Sequence, residues 1–211
     1  MTNKSNMLNK YSKILLVGGN GLLGKHLDIK ADRPTHKQLD ITATVESGDY
    51  DLIIHAAAYT NVEAAEKDRV ECFNVNVTGT LNLLEAYPKT PFIFISSEYA
   101  HNPVNFYSIT KSLAEQLVMT HPNYLIIRTL FKDRPWKHDF AFRDKYTLGD
   151  YVDIIGKLIV KEIDEWDGES KLVYVGTGRK TYYELAKQTR PGVLPNSIKD
   201  IKGVKIPKDY Q

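Results

Sequence analysis

Two side chains four residues apart, Tyr107 and Lys111, could carry out acid–base chemistry. On a helix this spacing places both side chains on the same face. A tyrosine phenol has an ordinary pKa of about 10, and a neighbouring ammonium group is expected to lower this pKa toward neutrality. The same ammonium could also hold a ribose hydroxyl of a dinucleotide. Because such pairs also occur by chance on surface helices, the surrounding sequence decides what this pair means.

A hydroxyl group, that of Ser97, follows the apolar stretch at residues 92–95. In open α/β sheets, ligands gather at the carboxyl ends of the strands, so Ser97 could donate a hydrogen bond to a substrate carbonyl there. The order of strand, glycine-rich loop, second strand, Ser-Ser and Tyr-x-x-x-Lys is much harder to obtain by chance than the Tyr–Lys pair alone.

The glycine-rich loop has Gly18, Gly21 and Gly24 directly after a first apolar run at residues 14–17. Glycines permit a tight turn and a close approach of backbone N–H groups to an anion. A helix predicted over residues 22–27 would add a positive dipole end that suits a pyrophosphate. The loop therefore predicts dinucleotide binding, although strand–loop–helix turns can also be glycine-rich for packing reasons.

Composition excludes several classes of protein. The 211 residues have a net charge of +2, which indicates neither nucleic acid nor an acidic partner. A single cysteine, Cys72, excludes an internal disulfide, and the six histidines show no metal-ligand spacing, so no metal site is expected. Residues 1–12 are polar and read as a flexible tail, and no apolar stretch approaches the roughly 20 residues that span a bilayer. We expect a cytoplasmic protein that does not bind membranes.

Short apolar runs alternate with helical patterns along the chain, which predicts an α/β fold: a Rossmann-like doubly wound parallel sheet with a small C-terminal appendage. Strands are predicted at residues 14–17, 51–55, 92–95, 124–127 and 173–175, and helices at 22–27, 62–65, 70–86, 107–118, 148–163 and 182–189, the last with Thr181 as its N-cap. The second strand is stunted, residues 27–30 at most. Residues 131–145 show neither the helical nor the strand period of apolar residues. The tail from Pro191 reads as an ordered loop or a loose arm. We expect a cofactor-binding core over residues 13–130 and a reduced substrate-side segment over 131–211.

Several stretches together resemble the extended short-chain dehydrogenase/reductases, and within them the dTDP-4-dehydrorhamnose reductase branch of sugar-nucleotide enzymes. The matching stretches are residues 18–24 (GGNGLLG), 39–42 (LDIT), 55–66 (HAAAYTNVEAAE), 74–76 (NVN), 96–99 (SSEY), 107–111 (YSITK) and 127–129 (IRT). The resemblance implies NAD(P)H-dependent reduction of a keto group on a nucleotide-activated 4-keto-6-deoxy sugar. It implies that Ser97, Tyr107 and Lys111 are catalytic. A homodimer is a separate expectation.

The resemblance also assigns cofactor contacts. It implies that Gly18, Asn20, Gly21, Leu22 and Leu23 hold the pyrophosphate, that Asp40 and Ile41 hold the adenine, and that Ala56, Ala57 and Ala58 line the ribose side, together with Tyr107 and Lys111. Gly19 and Gly24 would serve the turn and its packing.

Cofactor preference depends on the exit of the second strand, where Lys30 and Arg33 supply two cations against Asp32. An arginine at this place accepts a ribose 2′-phosphate, whereas a carboxylate binds the 2′-hydroxyl. Arg33 therefore predicts that NADP(H) is preferred, with NAD(H) possible. If Asp32 faces the ribose, the preference reverses, and if all three are solvated, either cofactor serves.

The substrate side is abbreviated, with only ten positions from Ser97 to Tyr107. Candidate substrate contacts are Ser97, Glu98, His101, Arg134 and Trp136. The last two belong to a basic and aromatic cluster, with Lys132, Lys137, His138 and Arg143, that could grip a diphosphate and stack a nucleobase or form a solvated loop.

Two other functions remain open. A non-catalytic NAD(P)-binding regulatory subunit would suit the short substrate side. An epimerase or dehydratase shares the triad, but a dehydratase needs an additional acid–base pair, of which Glu98 supplies half.

Overall fold

The computed structural model describes residues 7–200 and 203–210. Its strands, in chain order, are β1 (Ile14–Val17), β2 (Leu52–His55), β3 (Phe92–Ser97), β4 (Tyr124–Thr129), β5 (Phe131–Lys132), β6 (Phe140–Phe142), β7 (Tyr146–Thr147), β8 (Asp150–Tyr151), β9 (Lys171–Tyr174), β10 (Lys180–Thr181) and β11 (Leu194–Asn196). Its α-helices are α1 (Arg69–Phe73), α2 (Gly79–Ala86), α3 (Phe106–Val118), α4 (Val152–Glu165) and α5 (Tyr182–Lys187). Five strands form one parallel sheet in the order β1-β2-β3-β4-β9.

Both faces of this sheet are covered by apolar packing. Ile155 and Ile159 of α4 lie in the core on one face, and Leu83 of α2 and Ala114 of α3 lie in the core on the other. Strands buried on both faces are mostly apolar, as are β1 and, up to His55, β2. The predicted Rossmann-like doubly wound sheet is confirmed.

The first crossover departs from the prediction. In place of a helix over residues 22–27 there is one 3₁₀ turn, Gly24–His26. The second strand is a single bridge of Asp32 to Leu15, not residues 27–30. Helix α4 packs closely against the short turn, since a Cβ on Gly156 would lie 2.5 Å from the His26 carbonyl oxygen.

The predicted helix over residues 70–86 is present as α1 and α2, joined by a π-helical turn at Asn74–Thr78. Such turns are often found at functional sites. Helix α3 begins at Asn105, whose side chain accepts a hydrogen bond from the Ser108 N–H at 2.8 Å in a capping box. The cap fixes the start of the helix that carries the Tyr-x-x-x-Lys pair. Residues 62–65, by contrast, contribute only to a 3₁₀ turn at Ala64–Glu66.

The C-terminal third contributes to the main sheet and also forms a smaller core. Strand β9 and helix α4 complete the sheet. A separate cluster contains Trp136, Tyr151, Tyr182, Leu185 and Val193. Strand β11 pairs with β6, so the tail beyond Pro191 is ordered at this point. The predicted N-cap of α5, Thr181, is confirmed by a capping box with Glu184.

The N-terminal segment is structured earlier than predicted. Met7–Lys10 form a 3₁₀ turn, Leu8 packs against the core, and Ser12 donates hydrogen bonds to Asp51. The remainder of the predicted flexible tail, residues 1–6, lies outside the described residues. Within residues 7–200 and 203–210, the helices are too short or too polar to cross a bilayer.

Candidate active site

The carboxyl edge of the sheet brings together four loops. They are the glycine-rich loop after β1, residues 56–58 after β2, the end of β3, and residues 130–132 after β4. A cleft of about 540 Å³ lies between them. Its lining includes Gly18, Gly21, Leu22, Leu23, Ala56, Ala57, Ala58, Ser96, Ser97, Tyr99, Tyr107 and Lys132. The predicted grouping of the glycine-rich loop with Ser97 and Tyr107 is thus present in the structure.

The glycines of the loop have different roles. Gly18 has φ +81°, and a Cβ there would lie 2.5 Å from the Ala57 nitrogen. A Cβ on Gly24 would lie 2.3 Å from the Gly18 carbonyl oxygen. A Cβ on Gly21 would contact only the Gly18 carbonyl oxygen, at 3.2 Å, and Gly21 lines the cleft. Gly18 and Gly24 therefore shape the turn, while Gly21 leaves space for a ligand. Because one 3₁₀ turn follows, the predicted helix dipole does not contribute.

A second cavity, of about 280 Å³, continues from the other side of the glycine-rich loop. Its lining includes Asn20, Thr35, His36, Leu39, Ile41, Ala57, Ala58 and Val75. The predicted adenine contact Ile41 therefore lies at a cavity wall. The Asp40 carboxylate instead accepts hydrogen bonds from Thr42, from its N–H at 2.9 Å and its hydroxyl at 2.7 Å, which lower the pKa of Asp40. Asp40 shapes the turn beside the cavity.

The side chain of Arg33 is not free to bind a phosphate. Its two terminal nitrogens donate four hydrogen bonds to backbone carbonyls of the segment from Gly19 to Ile29. Asp32, the alternative reader of the ribose, accepts a hydrogen bond from the Tyr50 hydroxyl at 3.1 Å. This geometry argues against the role that the sequence predicts for Arg33 in cofactor choice.

Tyr107 and Ser97 adjoin each other in the wall of the cleft. Both Tyr107 and Ser97 line the cleft, and the Ser97 hydroxyl accepts a hydrogen bond from the Tyr99 N–H at 3.2 Å. Burial raises the pKa of Tyr107 to about 12. The predicted lowering of this pKa is wrong, because desolvation of the phenolate dominates. Tyr107 is a neutral phenol at neutral pH and can donate a proton.

Lys111 lies beneath the end of β3. Its amine donates a hydrogen bond to the Ile95 carbonyl at 3.0 Å and lies 4.0 Å from the centre of the Phe94 ring. Burial lowers the pKa of Lys111 to about 7, against the opposing effect of the Glu115 carboxylate. The ammonium form of Lys111 is therefore disfavoured in the fold.

Asn76, in the π-helical turn, contributes to the site although the sequence predicts no role for it. Its side-chain oxygen accepts from the Tyr59 N–H at 2.8 Å, and its nitrogen donates to the Tyr59 carbonyl at 3.2 Å and the Thr110 hydroxyl at 2.9 Å. Asn76 thereby ties the loop after Ala58 to helix α3. In the sequence, Asn76 is visible only as part of the matching stretch Asn-Val-Asn, and residue spacing alone does not assign it a role.

The predicted substrate contacts Glu98 and His101 are engaged elsewhere. The buried Glu98 carboxylate accepts hydrogen bonds from the Thr147 hydroxyl at 2.7 Å and the N–H groups of Leu148 at 2.9 Å and Gly149 at 3.1 Å. His101 Nδ1 lies 2.8 Å from the Tyr174 hydroxyl. Within the described residues, neither side chain is among those that line the cleft.

Trp136 and Arg134 also have packing roles. Trp136 is buried in the C-terminal cluster and donates from Nε1 to the Phe140 carbonyl at 3.2 Å. The Arg134 guanidinium lies 4.5 Å from the centre of the Tyr151 ring and 3.4 Å from Asp153. The indole ring of Trp136 is thus already enclosed, and the stacking of a nucleobase on it stays a prediction.

A third cavity, of about 720 Å³, supplies cationic side chains on the substrate side. It shares Val62, Tyr99 and Lys132 with the cleft, and it is also lined by Lys145 and Tyr182. The Tyr99 and Tyr182 hydroxyls are hydrogen-bonded at 3.1 Å. The amine of Lys145 donates to the Pro207 carbonyl at 2.6 Å, whereas that of Lys132 lies 5.3 Å from the centre of the Tyr182 ring.

One buried histidine, His55, ends strand β2 near the site. Its Nε2 lies 3.1 Å from the Thr80 hydroxyl, and burial lowers its pKa to about 3. It is a neutral histidine of the core. Within residues 7–200 and 203–210, we find no cluster of three or more His, Cys, Asp or Glu side chains that could hold a metal ion.

The parallel sheet, the glycine-rich turn and the positions of Ser97, Tyr107 and Lys111 are the features by which the chain resembles the short-chain dehydrogenase/reductases. A family model described as "Polysaccharide biosynthesis protein" matches residues 32–130. The dTDP-4-dehydrorhamnose reductase of Mycobacterium tuberculosis is 25% identical over 210 residues, covering 83% of this chain and 64% of that protein. A UDP-N-acetylglucosamine 4,6-dehydratase (inverting) of Campylobacter jejuni is 35% identical over 83 residues, covering 38% of this chain and 25% of that protein.

The structural comparison points to the same branch. The crystal structure of dTDP-4-dehydrorhamnose reductase from Bacillus anthracis in complex with NADP matches with a TM-score of 0.79 and 25% identity, covering 94% of this chain and 88% of that one. In sequence and in fold the chain is similar to dTDP-4-dehydrorhamnose reductases. The chain spans about a quarter of the length of the Campylobacter jejuni dehydratase and about two thirds of that of the Mycobacterium tuberculosis reductase.

Proposed function

We propose that the protein reduces a keto group on a nucleotide-activated 4-keto-6-deoxy sugar with NAD(P)H, with NADP(H) preferred. The observation that carries the proposal is the placement of Ser97 and the neutral phenol of Tyr107 in one cleft with Gly21. The open space beside Gly21 fits a pyrophosphate. The match to reductases over most of this chain and the NADP in the Bacillus anthracis structure support the same reaction and cofactor.

The proposed roles follow from the geometry. The bound dinucleotide supplies the hydride. Ser97 orients the substrate carbonyl, and Tyr107 donates its proton to the carbonyl oxygen. A phenol whose pKa is about 12 is protonated at neutral pH, as a proton donor must be. Lys111, one helical turn from Tyr107, is assigned to the ribose of the cofactor.

The substrate side is assigned to the third cavity. We infer that residues 13–130 supply most of the cofactor half and residues 131–211 most of the substrate half. Lys132 lies where the cleft and the third cavity meet, and Lys145 lies deeper. An ammonium group at this junction suits the diphosphate of a nucleotide sugar whose keto group faces Tyr107.

The state of Glu98 favours a reductase over a dehydratase. A dehydratase needs a further acid–base group beside Ser97, and the carboxylate of Glu98 is occupied by three donors from residues 147–149. A regulatory NAD(P)-binding subunit would need no proton donor in the cleft, whereas Tyr107 and Ser97 are both placed there.

Turnover decides between these functions. The experiment mixes the protein with a panel of 4-keto nucleotide sugars and NADPH or NADH, and follows the absorbance of the reduced cofactor. We expect oxidation of NADPH with at least one of these sugars and its loss in Tyr107→Phe. Cofactor binding without turnover of any sugar would favour the regulatory subunit.

We also propose a homodimer. Apolar side chains are exposed on α1 and α3, two helices that contact each other: Val70, Phe73, Ile109 and Leu113. A second copy of the chain could cover them. Light scattering on the wild type and on Ile109→Glu tests this, and a monomeric mass for the wild type would contradict it.

A further inference from the structure

The short first crossover raises the question of what holds the glycine-rich loop in place. We propose that Arg33 is a positioning residue: its guanidinium organises the loop in place of a crossover helix and does not read the cofactor's 2′-phosphate. The effect of Arg33 on cofactor binding rests on the proposed function, whereas its effect on the loop does not.

The contacts of Arg33 cover the whole segment. Nη1 donates to the carbonyls of Gly19 at 3.1 Å and Gly24 at 2.6 Å, and Nη2 donates to those of Leu27 at 2.6 Å and Ile29 at 3.0 Å. One planar group therefore joins carbonyls before, within and after the 3₁₀ turn. All four N–H bonds of its terminal nitrogens point to protein oxygens.

Because the helix is so short, the carbonyls of Leu27 and Ile29 lie beyond its last hydrogen bond, which the Gly24 carbonyl accepts. In an α-helix each carbonyl accepts from the N–H four residues later. Here the helical hydrogen bonds end with the Leu27 N–H to the Gly24 carbonyl at 3.2 Å. A charged donor forms stronger hydrogen bonds than a neutral one, so a guanidinium can replace several helical bonds.

Arg33 is itself anchored to the sheet. The preceding residue, Asp32, pairs with β1 through two backbone hydrogen bonds of 2.9 Å, from the Leu16 N–H to its carbonyl and from its own N–H to the Ile14 carbonyl. The Asn20 side chain donates to the Arg33 carbonyl at 3.1 Å. The guanidinium is thus held at a fixed place relative to the strand from which the glycine-rich loop begins.

The stem of Arg33 also explains one of the glycines. A Cβ on Gly19 would lie 2.8 Å from Arg33 Cγ. Gly19 therefore allows the arginine stem to pack against the loop, and the loop in turn sets the position of Gly21 in the cleft. Disturbing Arg33 should displace the pyrophosphate site, which NADPH and NADH share.

The experiment compares Arg33→Ala and Arg33→Lys with a matched control, Lys37→Ala, an exposed cation four residues further along the chain. Amide hydrogen exchange of residues 18–29 is measured without cofactor, and dissociation constants are measured for NADPH and NADH. We expect exchange at least about tenfold faster in both Arg33 variants, because a single ammonium cannot replace four bonds. Both cofactors should lose affinity by the same factor, about tenfold or more, and the control should change neither quantity.

Two results would overturn the inference: unchanged exchange in the Arg33 variants, or a loss confined to NADPH. If Arg33→Ala does not fold, Arg33→Lys, which keeps the stem and the charge, carries the test. Since exchange is measured on the protein alone, it tests the inference even if no sugar nucleotide is turned over.

Discussion

Tyr107 and Ser97 lie together in the wall of the cleft, and the phenol is kept neutral by burial. For a reductase, this state is useful, because the oxygen of the reduced carbonyl must receive a proton. A tyrosine ionised at neutral pH would instead favour the reverse, oxidising direction. The geometry thus relates the protonation state of one side chain to the direction of the proposed reaction.

Tyr107→Phe should abolish this proton transfer. We expect kcat to fall by about 10²–10⁴-fold, the usual contribution of a positioned acid, while the NADPH dissociation constant changes little. Stopped-flow turnover and fluorescence titration measure the two quantities. Ser97→Ala serves as the matched variant and should reduce kcat without lowering cofactor affinity. Wild-type turnover in Tyr107→Phe would remove Tyr107 from the mechanism.

Gly21→Val and Gly24→Ala should separate ligand binding from folding. A Cβ at Gly21 would contact only the Gly18 carbonyl oxygen, at 3.2 Å, and Gly21 itself lines the cleft. We expect Gly21→Val to stay folded and lose NADPH affinity. A Cβ at Gly24 would lie 2.3 Å from a backbone oxygen, so Gly24→Ala should lower the free energy of unfolding by about 1–3 kcal/mol.

Urea unfolding and NADPH titration of both glycine variants check these expectations. A Gly21→Val protein that is folded and binds NADPH with wild-type affinity would contradict the assignment of the cleft.

Stability should depend on pH through Lys111. The pKa of Lys111 is lowered to about 7 in the fold, whereas an unfolded lysine titrates at about 10.4. Between these values the unfolded chain binds more protons, so this residue makes stability increase as pH rises from about 7 to 10. Below pH 7 the cost of the buried ammonium is fully present.

Lys111→Met should therefore raise the free energy of unfolding at pH 6–7 by about 1–3 kcal/mol while it damages turnover and NADPH binding. The gain should shrink toward pH 10. Lys111→Gln, whose side chain is uncharged but keeps a polar end, is the variant with which Lys111→Met is compared. Denaturant unfolding at several pH values measures the effect, and a gain independent of pH would show that the lysine charge is not its origin.

The strands of the main sheet could be predicted because each contains a short apolar run, such as Ile14–Val17. The first crossover could not be predicted in the same way. The role of Arg33 arises from carbonyls that lack helical donors, and these exist only once the helix is absent. The pKa of Tyr107 was predicted in the wrong direction because spacing shows Lys111 as a neighbour but does not show burial.

Substrate binding should depend on Lys132 more specifically than on any other lysine of the third cavity. Lys132 borders both the cleft and that cavity, and burial lowers the pKa of its amine. A bound diphosphate would restore the ammonium form by a charge-assisted hydrogen bond. Lys145 lies deeper and already donates to the Pro207 carbonyl, so it has a structural role as well.

Lys132→Met should therefore raise the KM for the nucleotide sugar by about tenfold or more, since a hydrogen bond to a charged group contributes about 1.5–3 kcal/mol. The NADPH dissociation constant and the melting temperature should stay near wild type. In Lys145→Met, by contrast, the melting temperature should change as well. The nucleoside diphosphate alone, used as a competitive inhibitor, should bind the wild type more tightly than Lys132→Met, and the difference should shrink at high salt. Equal inhibition of both proteins would place the diphosphate elsewhere.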